Sequence, residues 1–448
     1  MPETTELPVV VIGAGPTGLA AAAHLRSRDL PVLVLEAGTR AAAAVHEWGH
    51  VRLFSSWSEL VDPAARALLE PTGWTAPNPK RYPTGHDWVD AYLLPLAEAL
   101  GDSIRLGTRV IAVTRSGRDR LVSSGRETST FTVHVETPAG RQALTARAVV
   151  DASGTWSRPN PLGSDGFPAI GEAENVARIG YRMPDLADAA TAARYAGKHV
   201  AVAGTGASAK GVLIALAALA QQYPETRVTW LVRRPSVTAS FAGSGQDELP
   251  ARGELGQLAK NAVERGPVTT VTGFRTSRVE AGADGRLTLT SDRGDEVTGI
   301  DEVVVLTGFR PDLSFLTELR LDLDPVLESP RTLAPLIDPN EHSCGTVYPH
   351  GAAELAQPEP GFYPVGMKSY GRATSFLALT GFEQTRSVAA AIAGDHEAAA
   401  RVELVLPDTG VCGGAGTFED EAAAPDGGGC CGAPAAPELL TLGGPAAS

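Results

Sequence analysis

The chain has 448 residues, 43% of them hydrophobic, which is enough for two or three domains with ordinary cores and excludes disorder throughout. A formal net charge of −14 without any Lys/Arg cluster argues against nucleic acid or an anionic membrane held by a basic patch, so a small-molecule substrate is the expected partner. No stretch approaches the roughly 20 apolar residues of a membrane span, the start "MPETTELPVVVIGAG" lacks a signal peptide's basic region, and four scattered cysteines form no secreted disulfide framework. The expected compartment is the cytoplasm.

The first elements come from "LPVVVIGAGPTGLAAAAHLRSRDLPVLVLEAG". An apolar β-branched run, a glycine turn, an Ala/Leu helix and a second apolar run predict strand, turn, helix and strand. Gly13 allows a sharp turn, Gly15 allows a pyrophosphate to approach the backbone, and Gly18 allows the helix to pack closely on the sheet. The helix N-terminus presents free N–H groups to phosphate. Glu36, ending the second run, is placed to accept hydrogen bonds from a ribose diol.

The next stretch, "HEWGH", matches the HExxH zinc pattern, but Gly49 interrupts any helix between His46 and His50 and no third ligand follows. Its continuation "WGHVRLFSSW" is expected to approach a bound cofactor, with Trp48, Phe54 and Trp57 either lining that pocket or forming plain core.

A second copy of the first pattern is "GKHVAVAGTGASAKGVLIALAALAQQYPETRVTWLVRR". Gly204 and Gly206 form its turn, Ala209 occupies the third glycine slot, and Ser208 on the first helical turn joins the cofactor-binding set. Lys210 lacks P-loop spacing and is read as solvated. Where the first copy ends in an acid, this one ends in Arg233 and Arg234, which suit the 2′-phosphate of NADPH; the alternative is an ordinary solvated strand end. Two nucleotide sites in one chain imply hydride transfer between cofactors, the usual pair being FAD in the first and NADPH in the second.

From Val402 onward the composition shifts to Gly, Ala and Pro with seven Asp/Glu and no Lys or Arg, so a mobile arm is expected. It carries Cys412, Cys430 and Cys431. The first 343 residues contain no cysteine, so a flavin-to-disulfide relay lacks its inner pair. Adjacent Cα atoms stand about 3.8 Å apart, short of the usual disulfide range of about 4.4 to 6.8 Å, so Cys430 and Cys431 are expected to rest as thiols. With Cys412 they offer three sulfurs to a soft ion such as trivalent arsenic; the alternative is an inert low-complexity tail.

The segments "VVIGAGPTG", "VVDASGTWSRPN", "VAVAGTGASA" and "VVVLTGFRPDLSF" resemble, in order, those of flavoproteins with two dinucleotide-binding domains, within the flavin-containing monooxygenase-like branch. "EHSCGTVYPHG" and "VGMKSYGRATSFLALTGFEQTRSVAAAIAG" resemble the flavin monooxygenases of bacterial arsenic-resistance operons. The resemblance implies an α/β fold of two Rossmann-like domains: an FAD domain (1–157 and 309–401) split around an NADPH domain (158–308), followed by the tail (402–448). It implies that "DASGTW" and "LTGFRPD" link the domains and that the backbone of Val110 meets the adenine. Relatives carry Gly-Asp in the last FAD motif; here Gly366 is followed by Met367 and Lys368. Lys368 either faces the flavin and stabilises its reduced form or lies on the surface. A vicinal thiol pair also closes the chain of mercuric reductases, where it hands metal to the flavin site. Cys344 is either a thiol that meets substrate at the flavin or a buried structural cysteine. No His stands between Gly171 and Tyr181, which argues against Baeyer–Villiger activity.

The expected activity is oxygenation of a soft nucleophile, a trivalent arsenical among the candidates, by O₂ through a flavin 4a-hydroperoxide. An NADPH-dependent metalloid reductase and a metalloid-binding flavoprotein sensor are the alternatives, and a homodimer is left open.

Overall fold

The computed structural model describes residues 6–241, 250–339, 349–373 and 376–404. Cys344, Cys412, Cys430 and Cys431, and with them the thiol-based expectations, lie outside the described residues.

Two all-parallel five-stranded sheets organise the chain. The first contains β1 (Val9–Ile12), β2 (Val32–Leu35), β3 (Ile104–Arg105), β7 (Ala148–Asp151) and β16 (Phe362–Pro364), in the order β16-β7-β1-β2-β3. The second contains β8 (Ile179–Gly180), β9 (His199–Ala203), β10 (Arg227–Val232), β11 (Val268–Thr272) and β15 (Glu302–Val305), in the order β11-β10-β9-β15-β8. Each sheet has an antiparallel three-stranded companion: β4 (Arg109–Arg115), β5 (Phe131–Thr137) and β6 (Gly140–Ala146) for the first, and β12 (Thr276–Ala281), β13 (Leu287–Ser291) and β14 (Glu296–Ile300) for the second. The chain therefore leaves the first sheet after β7, builds the second, and returns to the first at β16.

Burial explains the strand sequences. β1 and β7 are buried along their whole length, which is why they read as continuous apolar runs rather than as alternating patterns. Helix α1 (Pro16–Arg26) packs on β1 and β2 and on the helix Ala378–Ala393. Its Ala20–Ala23 run is buried on every face, and small side chains let its neighbours approach from all sides. Residues 85–100, "GHDWVDAYLLPLAEAL", form a helix interrupted by a π turn at Val89–Leu93. Pro95 lies just beyond and has no N–H to continue the ladder, which accounts for the wider turn before it.

The two crossings between the sheets lie side by side. Pro159 and Phe309 form an antiparallel bridge, Asn160 N–H donates to the Gly308 carbonyl at 2.9 Å, and Arg310 N–H donates to the Arg158 carbonyl at 2.9 Å. No helix among the described residues is long and apolar enough to cross a membrane.

Candidate functional site

The first glycine turn forms a cradle. Gly13 has φ +98°, and a Cβ there would lie 2.9 Å from the Ala152 carbonyl oxygen, so β7 closes against the turn. A Cβ on Gly18 would lie 1.9 Å from the Gly13 carbonyl oxygen, so helix α1 can approach only without it. Gly15, the N-cap of α1, is different: nothing lies within 4 Å of the place its Cβ would take. A tight frame around one open position, at the positive end of a helix, fits a pyrophosphate.

Glu36 follows β2, and its carboxylate accepts from Ala14 N–H at 2.8 Å and from Gly38 N–H at 2.7 Å. The side chain is thereby aimed along the turn, and each oxygen keeps a lone pair for a ribose diol. Val110 lies at the register shift between β4 and β5, where the ladder is interrupted. A Cβ on Gly366 would lie 2.7 Å from Thr17 Oγ1, so the last motif closes against the first turn of α1. Gln384 fixes that approach: its Oε1 accepts from Gly366 N–H at 2.6 Å, and its amide contacts Ser369 Oγ and His350.

The second cradle repeats the logic. Gly204 has φ +124°, and a Cβ would lie 2.3 Å from the Leu306 carbonyl oxygen. Gly206 caps the helix Ala207–Gln222 with open space around it. Ala209 in the third slot is fully buried, whereas Ser208 is exposed on the first turn. Arg233 and Arg234 leave the end of β10, and Arg233 donates to the Ser164 carbonyl at 3.3 Å. Burial, then the charges of Arg234 and Arg275, hold the Arg233 pKa below its ordinary value. Arg234 and Arg275 thus stand close enough to Arg233 for their charges to act on it, at the end of β10 beside the second cradle, and guanidinium groups gathered there suit a phosphate dianion. Arg275 comes from the turn between β11 and β12, and nothing in its local sequence marks it for this cluster.

The remaining predicted residues divide. Trp57 begins α3 (Trp57–Leu60) and is 6% exposed within the apolar cluster around α1. It packs as core, the plainer of its two readings. Lys368 is not on the surface: it is buried, with Nζ between Asp151, Ser153 and Asp312. His46 and His50 do not share a helix, because α2 (Ala43–Glu47) ends before Trp48, where φ is −109° and ψ 22°. The chain turns there to seat Gly49 on the ring of His86. Burial above all lowers the pKa of both histidines. Among the described residues no group of three or more His, Cys, Asp or Glu is arranged to hold a metal ion.

Sequence reading also missed an aromatic clamp at the crossings. Trp156 and Phe309 stack at 4.9 Å, Trp156 Nε1 donates to Glu47 at 2.7 Å, and Arg182 lies over the Trp156 ring at 4.6 Å while facing Glu47 at 3.5 Å. Each member comes from a different segment, so no local pattern joins them.

The sequence profile of the pyridine nucleotide-disulphide oxidoreductase family matches residues 10–346. Indole-3-pyruvate monooxygenase YUCCA1 of Oryza sativa subsp. japonica is 29% identical over 209 residues, which is 46% of this chain and 44% of that protein, so the match spans less than half the length of this relative. Among solved structures, the bacillithiol disulfide reductase Bdr (YpdA) of Bacillus cereus superposes with a TM-score of 0.62 at 21% identity, covering 87% of this chain and 99% of the other. A flavin-containing monooxygenase from Stenotrophomonas maltophilia superposes with a TM-score of 0.55 at 22% identity, covering 87% and 98%. These two likenesses establish the fold.

Proposed function

The chain belongs to the pyridine nucleotide-disulphide oxidoreductase family, and from that premise we propose an FAD- and NADPH-dependent monooxygenase that transfers one oxygen atom of O₂ to a soft nucleophile. That it is an FAD-dependent oxidoreductase using NADPH follows from the family. One observation carries the choice of oxygenation: no cysteine precedes residue 344, so neither parallel sheet offers the disulfide through which a disulfide reductase passes its electrons.

Residues 1–157 and 309–401 form the FAD side and 158–308 the NADPH side. Gly13, Gly15 and Gly18 cradle the FAD pyrophosphate, Glu36 takes the ribose diol, the Val110 backbone borders the adenine, and Gly366 lets the last motif close on the cradle. Gly204, Gly206 and Ser208 hold the second pyrophosphate, and Arg233, Arg234 and Arg275 grip the 2′-phosphate. Bound FAD supplies the chemistry of accepting hydride from NADPH and delivering two electrons to O₂, one oxygen atom entering the product and the other leaving as water.

A trivalent arsenical is the proposed substrate within the soft-nucleophile class, on the strength of Cys430, Cys431 and Cys412, whose thiolates suit that ion. The test is NADPH oxidation under ¹⁸O₂ with arsenite, methylated arsenicals, sulfides and amines. One labelled oxygen per product and one NADPH per turnover is the expected result. NADPH consumption that yields only peroxide, or a reduced metalloid without label, rejects oxygenation.

A further inference from the structure

Lys368 follows the turn at Gly366, and its side chain runs inward until it is only 2% exposed. Its Nζ donates to Ser153 Oγ at 3.1 Å and to the Asp312 carbonyl. It stands 3.3 Å from Asp151 Oδ2 and 4.7 Å from the centre of the Phe315 ring. Asp151 is wholly buried, and Oδ2 accepts no hydrogen bond of good angle, so the ammonium is what balances its charge. An ammonium has three donors. Two are committed to Ser153 and Asp312, and the remaining charge faces Asp151.

These partners lie at the junction of the two sheets. Asp151 ends β7, Ser153 begins the first crossing, and Asp312 lies on the second. The Asp151 carbonyl also accepts from Val365 N–H at 2.9 Å, beside the Gly366 turn. One buried cation therefore joins both crossings to the segment that closes on the first cradle.

We propose that Lys368 is a positioning residue: paired with Asp151, it pins both crossings to the Gly366 turn, sets the second sheet relative to the first cradle, and spends its charge on Asp151 rather than on the flavin. This rests on the FAD and NADPH reading above. Removing one member of a buried pair leaves an uncompensated charge, whereas removing both is often tolerated, so the pair and the flavin roles separate in a double-variant cycle.

The experiment compares the full chain with K368M, D151N and D151N/K368M. Each single variant is expected to lower the melting temperature, and the double variant to recover at least half of the K368M loss, in flavin-loaded and in flavin-stripped protein alike. In the double variant the flavin midpoint potential stays within about 30 mV of the parent, the equivalent of a tenfold change for a two-electron couple. Its rate of flavin reduction at saturating NADPH falls at least tenfold, because the crossings are no longer pinned. Additive melting losses, a larger potential shift in the double variant, or reduction at the parental rate would each overturn the proposal. A wrong cofactor reading would remove the potential and rate signals and leave the melting cycle of stripped protein standing, so the two failures are distinct.

Discussion

Gly15 and Gly18 share one turn, yet substitution by Ala tests different things at each. At Gly18 the new methyl meets the Gly13 carbonyl oxygen, so G18A is expected to lose about 3 kcal/mol of stability together with flavin binding. At Gly15 the methyl enters open space. G15A should therefore keep the melting temperature of the stripped protein and lose at least tenfold in FAD affinity, measured by flavin fluorescence titration. In the second cradle, R233A/R234A is expected to raise KM for NADPH at least tenfold while changing that for NADH less than threefold. R275A should act in the same direction, and equal effects on both nucleotides would refute the phosphate clamp. The positions of Gly13 and Gly18 at the first turn, and of the arginine pair at the end of β10, could be read from sequence because each follows from spacing within its own βαβ unit. Arg275 could not, since only the parallel pairing of β10 with β11 brings its turn to the end of β10.

Between elements, the buried carboxylate of Glu359 ties the antiparallel β4–β6 sheet to the returning chain. It accepts from Arg115 Nε of β4 at 2.8 Å, from Arg126 at 2.6 and 2.9 Å, and from Arg320 N–H at 2.8 Å. Arg115 also lies over the Phe131 ring of β5 at 3.8 Å. Burial alone would raise the Glu359 pKa, but hydrogen bonds from Arg126 and Arg115 outweigh it and hold the carboxyl below the usual range. A depressed folded pKa means that this stability is fully present above the unfolded value, about 4.3, and is lost as pH falls through the folded pKa. E359Q is expected to cost about 3 to 5 kcal/mol at pH 7, the range for breaking a buried pair. The difference in melting temperature from the parent should shrink below about pH 4, and a pH-independent difference would show that the charge is not what matters. The knot was not legible in the sequence, because its members are dispersed through the chain and each reads alone as a surface charge.

Across the whole molecule, truncation after Leu404 is expected to leave flavin content and NADPH-driven flavin reduction within twofold of the full chain, because both cradles lie before that point. C430S/C431S in the full chain should weaken arsenite binding at least tenfold by calorimetry while sparing flavin reduction, and unchanged affinity would make the pair mere tail. The chain's departure to the second sheet and its return at β16 are what the resemblance to flavoproteins with two dinucleotide-binding domains implied. Sequence alone determined the two cradles and the opposite charges closing them, Glu36 and Arg233 with Arg234, because backbone geometry at a glycine turn and the first turn of a helix depends on neighbours a few residues away. Tertiary structure decided what stands where the two sheets meet, namely the burial of Lys368 against Asp151 and the Trp156 clamp, and elsewhere it decided the arrival of Arg275 at the end of β10 and the seating of Trp57 in the core around α1. Those contacts join residues far apart in the chain, and a charged or aromatic side chain carries no local mark of the partner that folding brings to it.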